Sequence, residues 1–105
     1  MTQQIINKVY SKYKKSVNMS YSDLLSWSQN KCSKKASLNR EPIKRNLKLL
    51  NIKRVNWTIQ DAKQANKTIA FIARMRKVPR GEIVCGKYSK RDISLKNWAF
   101  DPFKK

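Results

Sequence analysis

Three times in this chain a serine or threonine is followed, three residues on, by an aspartate: Ser20-Tyr21-Ser22-Asp23, Thr58-Ile59-Gln60-Asp61 and Ser89-Lys90-Arg91-Asp92. The hydroxyl at such an N-cap accepts the backbone N–H of the third helical residue, and the carboxylate there reaches back to the N-cap N–H. Each box therefore marks the start of a helix. Apolar spacing predicts what lies between. Ile5, Val9, Tyr13 and Val17, widened by Ile6 and Tyr10, form one stripe of a first helix over Gln3 to Asn18. The Ser20 box opens a second helix through Leu24, Leu25 and Trp27 to about Lys31–Cys32, and Ser33-Lys34-Lys35-Ala36-Ser37 reads as a polar, basic loop. Asn39 is the predicted N-cap of a third helix, with Pro42 in its first turn and Ile43, Leu47 and Leu50 facing inward.

Asn51 to Asn56 then reads as a connection. The Thr58 box begins the longest helix, which carries Ala62, Ala65, Ile69, Ile72 and Ala73 on one face and ends near Lys77. Val78-Pro79-Arg80-Gly81 closes it, since Pro79 cannot continue the backbone hydrogen bonding. Glu82 to Gly86, with Ile83, Val84 and Cys85, leans towards an extended connector or a small strand. A last helix runs from the Ser89 box through Ile93 and Leu95 to about Ala99, where Asp101-Pro102 stops it and Trp98, Phe100 and Phe103 anchor it. The prediction is an all-α fold, a single domain over residues 1–105 with about five helices and at most a short β-like connector near 82–86.

Charge decides the class of partner. Twenty-five Lys and Arg face six Asp and Glu, a formal net charge of +19. The excess is spread along the chain between ordinary core residues, so it is not a basic tail on a neutral domain. Self-repulsion on that scale is relieved by a polyanion, and phosphate neutralisation with counterion release rewards it directly. A hydrophobic fraction of 40% with three Trp, four Tyr and three Phe is too rich for a disordered polycation. No apolar run spans a bilayer and no signal-peptide core follows Met1, so the chain reads as soluble, not secreted and without a membrane partner.

Catalysis finds little support. His is absent, and Asp23, Asp61 and Asp92 are accounted for by helix caps, leaving Glu41, Glu82 and Asp101 scattered. Neither an enzyme, a metal nor another cofactor is expected. Cys32 and Cys85 stand apart without a CxxC pair and read as buried or free thiols in a reducing compartment, with a disulfide possible but not indicated.

The candidate nucleic-acid-binding residues fall into three groups. Arg40, Lys44, Arg45 and Lys48 lie along the third helix without the acids that usually lace an exposed face. Arg74, Arg76, Lys77 and Arg80 close the long helix, more cations than dipole capping requires. Lys87, Lys90 and Arg91 follow, with Lys34–Lys35 and Lys53–Arg54 as smaller clusters. The structural alternatives are a solvated helix face and C-terminal capping. Eighteen cations are Lys, a point charge that discriminates poorly between bases, which favours sequence-independent backbone contact. A helix-turn-helix reader using Gln60, Gln64 and Asn66, a single-strand binder stacking bases on Trp or Tyr, and a ribosomal or RNP-type RNA binder are the alternatives. For Trp27, Trp57 and Trp98 a packing role is the stronger reading.

The Lys-, Asn- and Ile-rich usage of Asn46-Leu47-Lys48-Leu49-Leu50-Asn51-Ile52-Lys53 and Asn66-Lys67-Thr68-Ile69 looks like the product of an AT-rich genome. With the size and charge, it resembles the small basic nucleoid proteins packed with the genome of mimivirus-like giant DNA viruses. Bacteriophage and bacterial nucleoid proteins look much the same. The resemblance is one of composition and implies condensation of duplex DNA in a virion core or viral factory, or otherwise in a nucleoid or the cytoplasm, by a homodimer.

Overall fold

A computed structural model describes residues 2–35 and 40–104. Its element order is α1 (Thr2–Ser16), α2 (Tyr21–Ser28), a 3-10 turn (Lys31–Lys34), α3 (Glu41–Asn51), a second 3-10 turn (Arg54–Asn56), α4 (Ile59–Met75), β1 (Ile83–Cys85), β2 (Tyr88–Ser89) and α5 (Lys90–Asn97). The fold is all-α, with one two-stranded antiparallel hairpin as its sheet. All three capping boxes form with both reciprocal hydrogen bonds, at Ser20, Thr58 and Ser89.

The long α4 packs along α1 and also meets α3 and α5, while α2 and the first 3-10 turn close the other side against α5. Ile6, Val9, Tyr13 and Val17 of the predicted α1 stripe are buried, as are Ala62, Ala65 and Ile72 of the α4 stripe. A buried polar knot ties three helices. Tyr13 Oη and Thr68 Oγ1 donate to Asn46 Oδ1 at 2.7 and 3.1 Å, and Asn46 Nδ2 donates to the Pro42 carbonyl at 2.8 Å. Burial pushes the Tyr13 phenol above its ordinary value, so it stays a donor. A second knot runs from Trp27 Nε1 to Asn97 Oδ1 at 2.7 Å, and on from Asn97 Nδ2 to the Ser33 carbonyl at 3.1 Å.

Several expectations need correction. Ile5 and Ala73 are exposed rather than inward, because the α1–α4 seam runs through Ile6, Val9, Ala65, Thr68 and Ile72. On α3 the deepest positions are Ile43, Asn46 and Leu49, with Leu47 and Leu50 half-buried beside them. Helix α2 stops at Ser28, because the Asn30 side chain accepts from Cys32 N–H and starts the 3-10 turn. The Ala36–Ser37 part of the predicted loop and the Asn39 cap lie outside the described residues. Arg40 occupies the N-cap of α3 without a side-chain cap bond.

The end of α5 is set by Ala99 and not by Asp101-Pro102. Ala99 takes the left-handed conformation (φ 67°), the Phe100 N–H bonds the Leu95 carbonyl at 2.9 Å, and the Ala99 N–H bonds that of Lys96 at 3.1 Å. That is a Schellman closure with alanine where glycine is usual. The Ala99 carbonyl in turn accepts from Asn18 N–H at 3.1 Å, joining the chain's end to the α1–α2 link.

The free-thiol reading is overturned. Cys32 and Cys85 form a disulfide, Cα–Cα 5.7 Å, across 53 residues of sequence. The 3-10 turn after α2 and strand β1 are laid side by side, which sequence spacing alone does not reveal. Oxidising surroundings maintain such a bond.

Candidate nucleic-acid interface

Helix α4 ends on cations, and the chain then turns back through the hairpin into α5. The turn brings two of the predicted clusters together. Asp92, the third residue of α5 and fully buried, is the hub. Arg80 Nε reaches Asp92 Oδ2 at 2.8 Å, and Arg91 Nη1 reaches Oδ1 at 3.3 Å. Burial pushes the Asp92 carboxyl up. Hydrogen bonds from the Ser89 N–H, the Arg80 guanidinium and the Ser89 hydroxyl, with the Arg80 charge, outweigh it and hold the carboxyl below the usual carboxylate range. Arg80 Nη2 also donates to the Lys87 carbonyl at 2.6 Å. Arg91 donates to the carbonyls of Met75 and Arg76 at 3.5 and 3.4 Å, satisfying the C-terminal end of α4.

Aromatic rings seat the other cations of this corner. The guanidiniums of Arg74, Arg76 and Arg80 lie over Phe71, Phe100 and Phe103 at 5.6, 5.1 and 4.6 Å. The Lys87 ammonium lies 4.8 Å from the Phe103 ring. Trp98 stacks on Phe71 with centroids 4.3 Å apart. A cation held over a ring keeps its N–H groups available to an outside acceptor. Lys77 and Lys90 are exposed and make no ion pair or ring contact among the described residues. The seven corner residues thus divide in two. Arg80 and Arg91 brace the fold, while Arg74, Arg76, Lys77, Lys87 and Lys90 present charge outward.

The α3 group is not part of this corner. Lys48 Nζ lies 3.5 Å from Asp61 Oδ1, at the start of α4, whereas Arg74 stands near its end. Thirteen residues of helix between those positions span about 20 Å. Lys44 is exposed and Arg45 half-buried. Arg40 turns inward, with Nη1 and Nη2 donating to the carbonyls of Ser33 and Ser28 at 3.2 and 2.9 Å, so its role is to hold the end of α2.

Lys96 was not anticipated. It is buried, with its ammonium 4.1 Å from the Trp27 ring and 4.7 Å from the Tyr88 ring, 3.1 Å from Tyr88 Oη and 3.9 Å from Asp101 Oδ2. It forms the floor of a cleft of about 500 Å3 that Lys87, Lys104 and Asp23 also line. Nothing local in the sequence marks it: Trp27 lies on another helix, Tyr88 is eight residues away, and the i, i+4 neighbour Asp92 is held by Arg80 and Arg91 instead. Lys104 Nζ pairs with Asp23 Oδ2 at 3.0 Å. The Ser20 N–H and Lys104 together hold the Asp23 carboxyl below its ordinary range.

Acids and cations differ in how they are held. The carboxylates of Asp23, Asp61, Asp92 and Asp101 all accept backbone N–H groups within the fold, and Asp61 and Asp92 are buried, whereas Asp23, Glu41 and Glu82 are exposed. Among the described residues every Lys and Arg is exposed except Arg40, Arg45, Arg91 and Lys96. Trp27 and Trp57 are each 3% exposed, and Trp57 packs edge-on against Tyr10 and Tyr13, so neither is open for base stacking. No described helix is long and apolar enough to cross a membrane, and the described residues include no Cys, Asp and Glu grouping placed for a metal. Comparison with protein-family models, curated proteins and solved structures finds no match to this chain.

Proposed function

We propose that this chain is a non-enzymatic, sequence-independent DNA-binding protein that compacts duplex DNA by neutralising phosphate. The observation that carries the reading is the excess of exposed cations: on a folded domain of net charge +19, all but four of the described Lys and Arg are exposed, while Asp61 and Asp92 are buried in helix caps. Five corner cations without an acidic partner form the main contact, and the α3 face around Lys44 and Lys48 forms a second. Helix α4 contacts α1, α3 and α5, which leaves it poorly placed to act as a lone recognition helix in a major groove. Condensation of a genome, in a virion core or nucleoid, is the role this binding mode serves.

The test is the salt dependence of binding to duplexes of unrelated sequence. Contact by about five cations predicts that log K falls by about 4.5 per decade of salt, alike for every sequence. A flat salt profile, or one preferred sequence, overturns the reading.

A further inference from the structure

We propose that α1 and the outward side of α4 form a further seat for the DNA backbone, so that a duplex held at the corner lies lengthwise along these two helices. The proposal rests on the nucleic-acid reading above and adds Lys8, Lys12, Lys63 and Lys67 to it. On a helix of 3.6 residues per turn, positions i, i+4, i+7 and i+11 share one face. Lys63, Lys67, Ala70 and Arg74 of α4 have that spacing, and all four are exposed. Lys8, Lys12 and Lys15 repeat the pattern on α1, again exposed. Arg74 already belongs to the corner, so the α4 row leads from there back to Lys63, about 16 Å away.

Charge on this face is all of one sign. Helix α1 contains no Asp or Glu, and the sole acid of α4 is Asp61, buried in the Thr58 capping box. A solvated helix face normally interleaves acids with its lysines, and this one has none. The two helices pack together, and a hollow of about 630 Å3 is lined by Asn7, Lys8, Ser11 and Lys12 of α1 and Asn66 of α4, without a carboxylate. Asn7 Oδ1 accepts from Gln3 Nε2 at 2.9 Å, so the Asn7 NH2 group remains to donate. Amide and hydroxyl side chains beside lysines suit phosphate and sugar oxygens.

A phosphodiester strand is a convex, negative ridge. A shallow trough with lysines on both of its helices matches that ridge in shape and in sign. Ala70 and Ala73, both exposed, keep the α4 surface low beside Arg74, so the strand can approach closely. Unpaired bases find no free ring here, because Tyr10 and Tyr13 pack edge-on against Trp57. The backbone of a duplex is therefore the occupant. At 17 residues α4 is about 25 Å long, which lies beside about seven base pairs.

The experiment measures the salt dependence of binding to a duplex longer than the 45 Å body. It compares the native chain with Lys12→Gln/Lys67→Gln and with Lys14→Gln/Lys31→Gln, which loses the same charge away from the two rows. All four lysines are exposed, and circular dichroism checks each fold. Each row lysine in contact adds about 0.9 to the slope set by the corner, so the first variant's slope should be shallower by about 1.8. The second variant's should change by less than about 0.5. At the middle of the α4 row, Ala70→Glu should weaken binding about tenfold by repelling phosphate, and Ala70→Gln should change it less than about twofold. Glu and Gln are both good helix formers, so α4 survives either change. Acetylation of the native chain, read by mass spectrometry, should find Lys8, Lys12, Lys63 and Lys67 protected by the duplex. Equal slopes in the two double variants, or equal affinity of Ala70→Glu and Ala70→Gln, overturns the inference. Protection of these lysines by polyglutamate but not by the duplex also overturns it and gives the face to an acidic protein segment. All of these outcomes leave binding at the corner intact. Absence of salt-dependent binding by the native chain overturns the proposed function as well.

Discussion

At the scale of single residues, the arginines divide by what their guanidiniums already hold. Arg80 and Arg91 are bound to buried Asp92, whereas Lys77 and Lys90 have nothing comparable. Replacing Lys77 and Lys90 with Gln should weaken DNA binding across all sequences and leave the unfolding free energy from urea titration within about 0.5 kcal/mol of native. Asp92→Asn should instead cost about 3 kcal/mol of stability, because it strips a buried partner from two guanidiniums. Acid titration gives that contribution a signature. The folded-state pKa of Asp92 lies below the unfolded value of about 3.9, so its stabilisation is present above that pH and is lost as pH falls through the lower folded value. Urea unfolding from neutral pH to about pH 3 should show a steeper loss for the native chain than for Asp92→Asn, and parallel curves would remove Asp92 from the account. None of this division was visible in the sequence. Arg80 meets Asp92 and Arg40 meets the Ser28 carbonyl 12 residues away, and Arg91, though adjacent to Asp92, also reaches the Met75 carbonyl 16 residues back, across turns that composition cannot place.

At the scale of elements, starts were legible and ends were not. A capping box is a contact within four residues, so Ser20, Thr58 and Ser89 announce their helices directly. The stops depend on what the chain does next: a side-chain cap at Asn30 for α2, and a left-handed Ala99 for α5. Ala99 is fully buried, so a β-branched residue there meets both a strained backbone and a filled core. Ala99→Val should cost more than about 2 kcal/mol, and Ala99→Gly should be tolerated much better. The hairpin depends on a tertiary bond in the same way. Closing the Cys32–Cys85 loop removes denatured-state freedom equivalent to about 4 kcal/mol in the chain-entropy account. Treatment with a thiol reductant, or Cys85→Ser, should lower the unfolding free energy by a comparable amount and shift the denaturation midpoint down accordingly. Identical midpoints with and without reductant would show that the bond contributes little to stability.

At the scale of the whole molecule, compaction as proposed requires one small domain to touch two duplexes. The homodimer expected from the sequence finds little free apolar surface, because most of that on the first helix and among the terminal aromatics is engaged within one chain. Val9, Tyr13 and Val17 are buried, Trp98 stacks on Phe71, and Phe103 carries cations on its ring. What the fold offers instead is distance. The α3 face and the α4–α5 corner stand at opposite ends of α4, in a body 45 Å long and about half as wide. On the proposed function, that separation places the two cationic faces far enough apart for one chain to hold neighbouring duplexes. Replacing Lys44, Arg45 and Lys48 together with Gln should then leave affinity for a single duplex within about threefold, since the corner remains. It should abolish the bridging of two labelled duplexes in a pull-down. Sedimentation of the native protein in moderate salt, without DNA, should return a monomer, in keeping with the repulsion between two bodies of charge +19. A stable dimer together with undiminished bridging by the α3 variant would transfer the second DNA contact to the partner copy and leave the α3 face without a part in compaction.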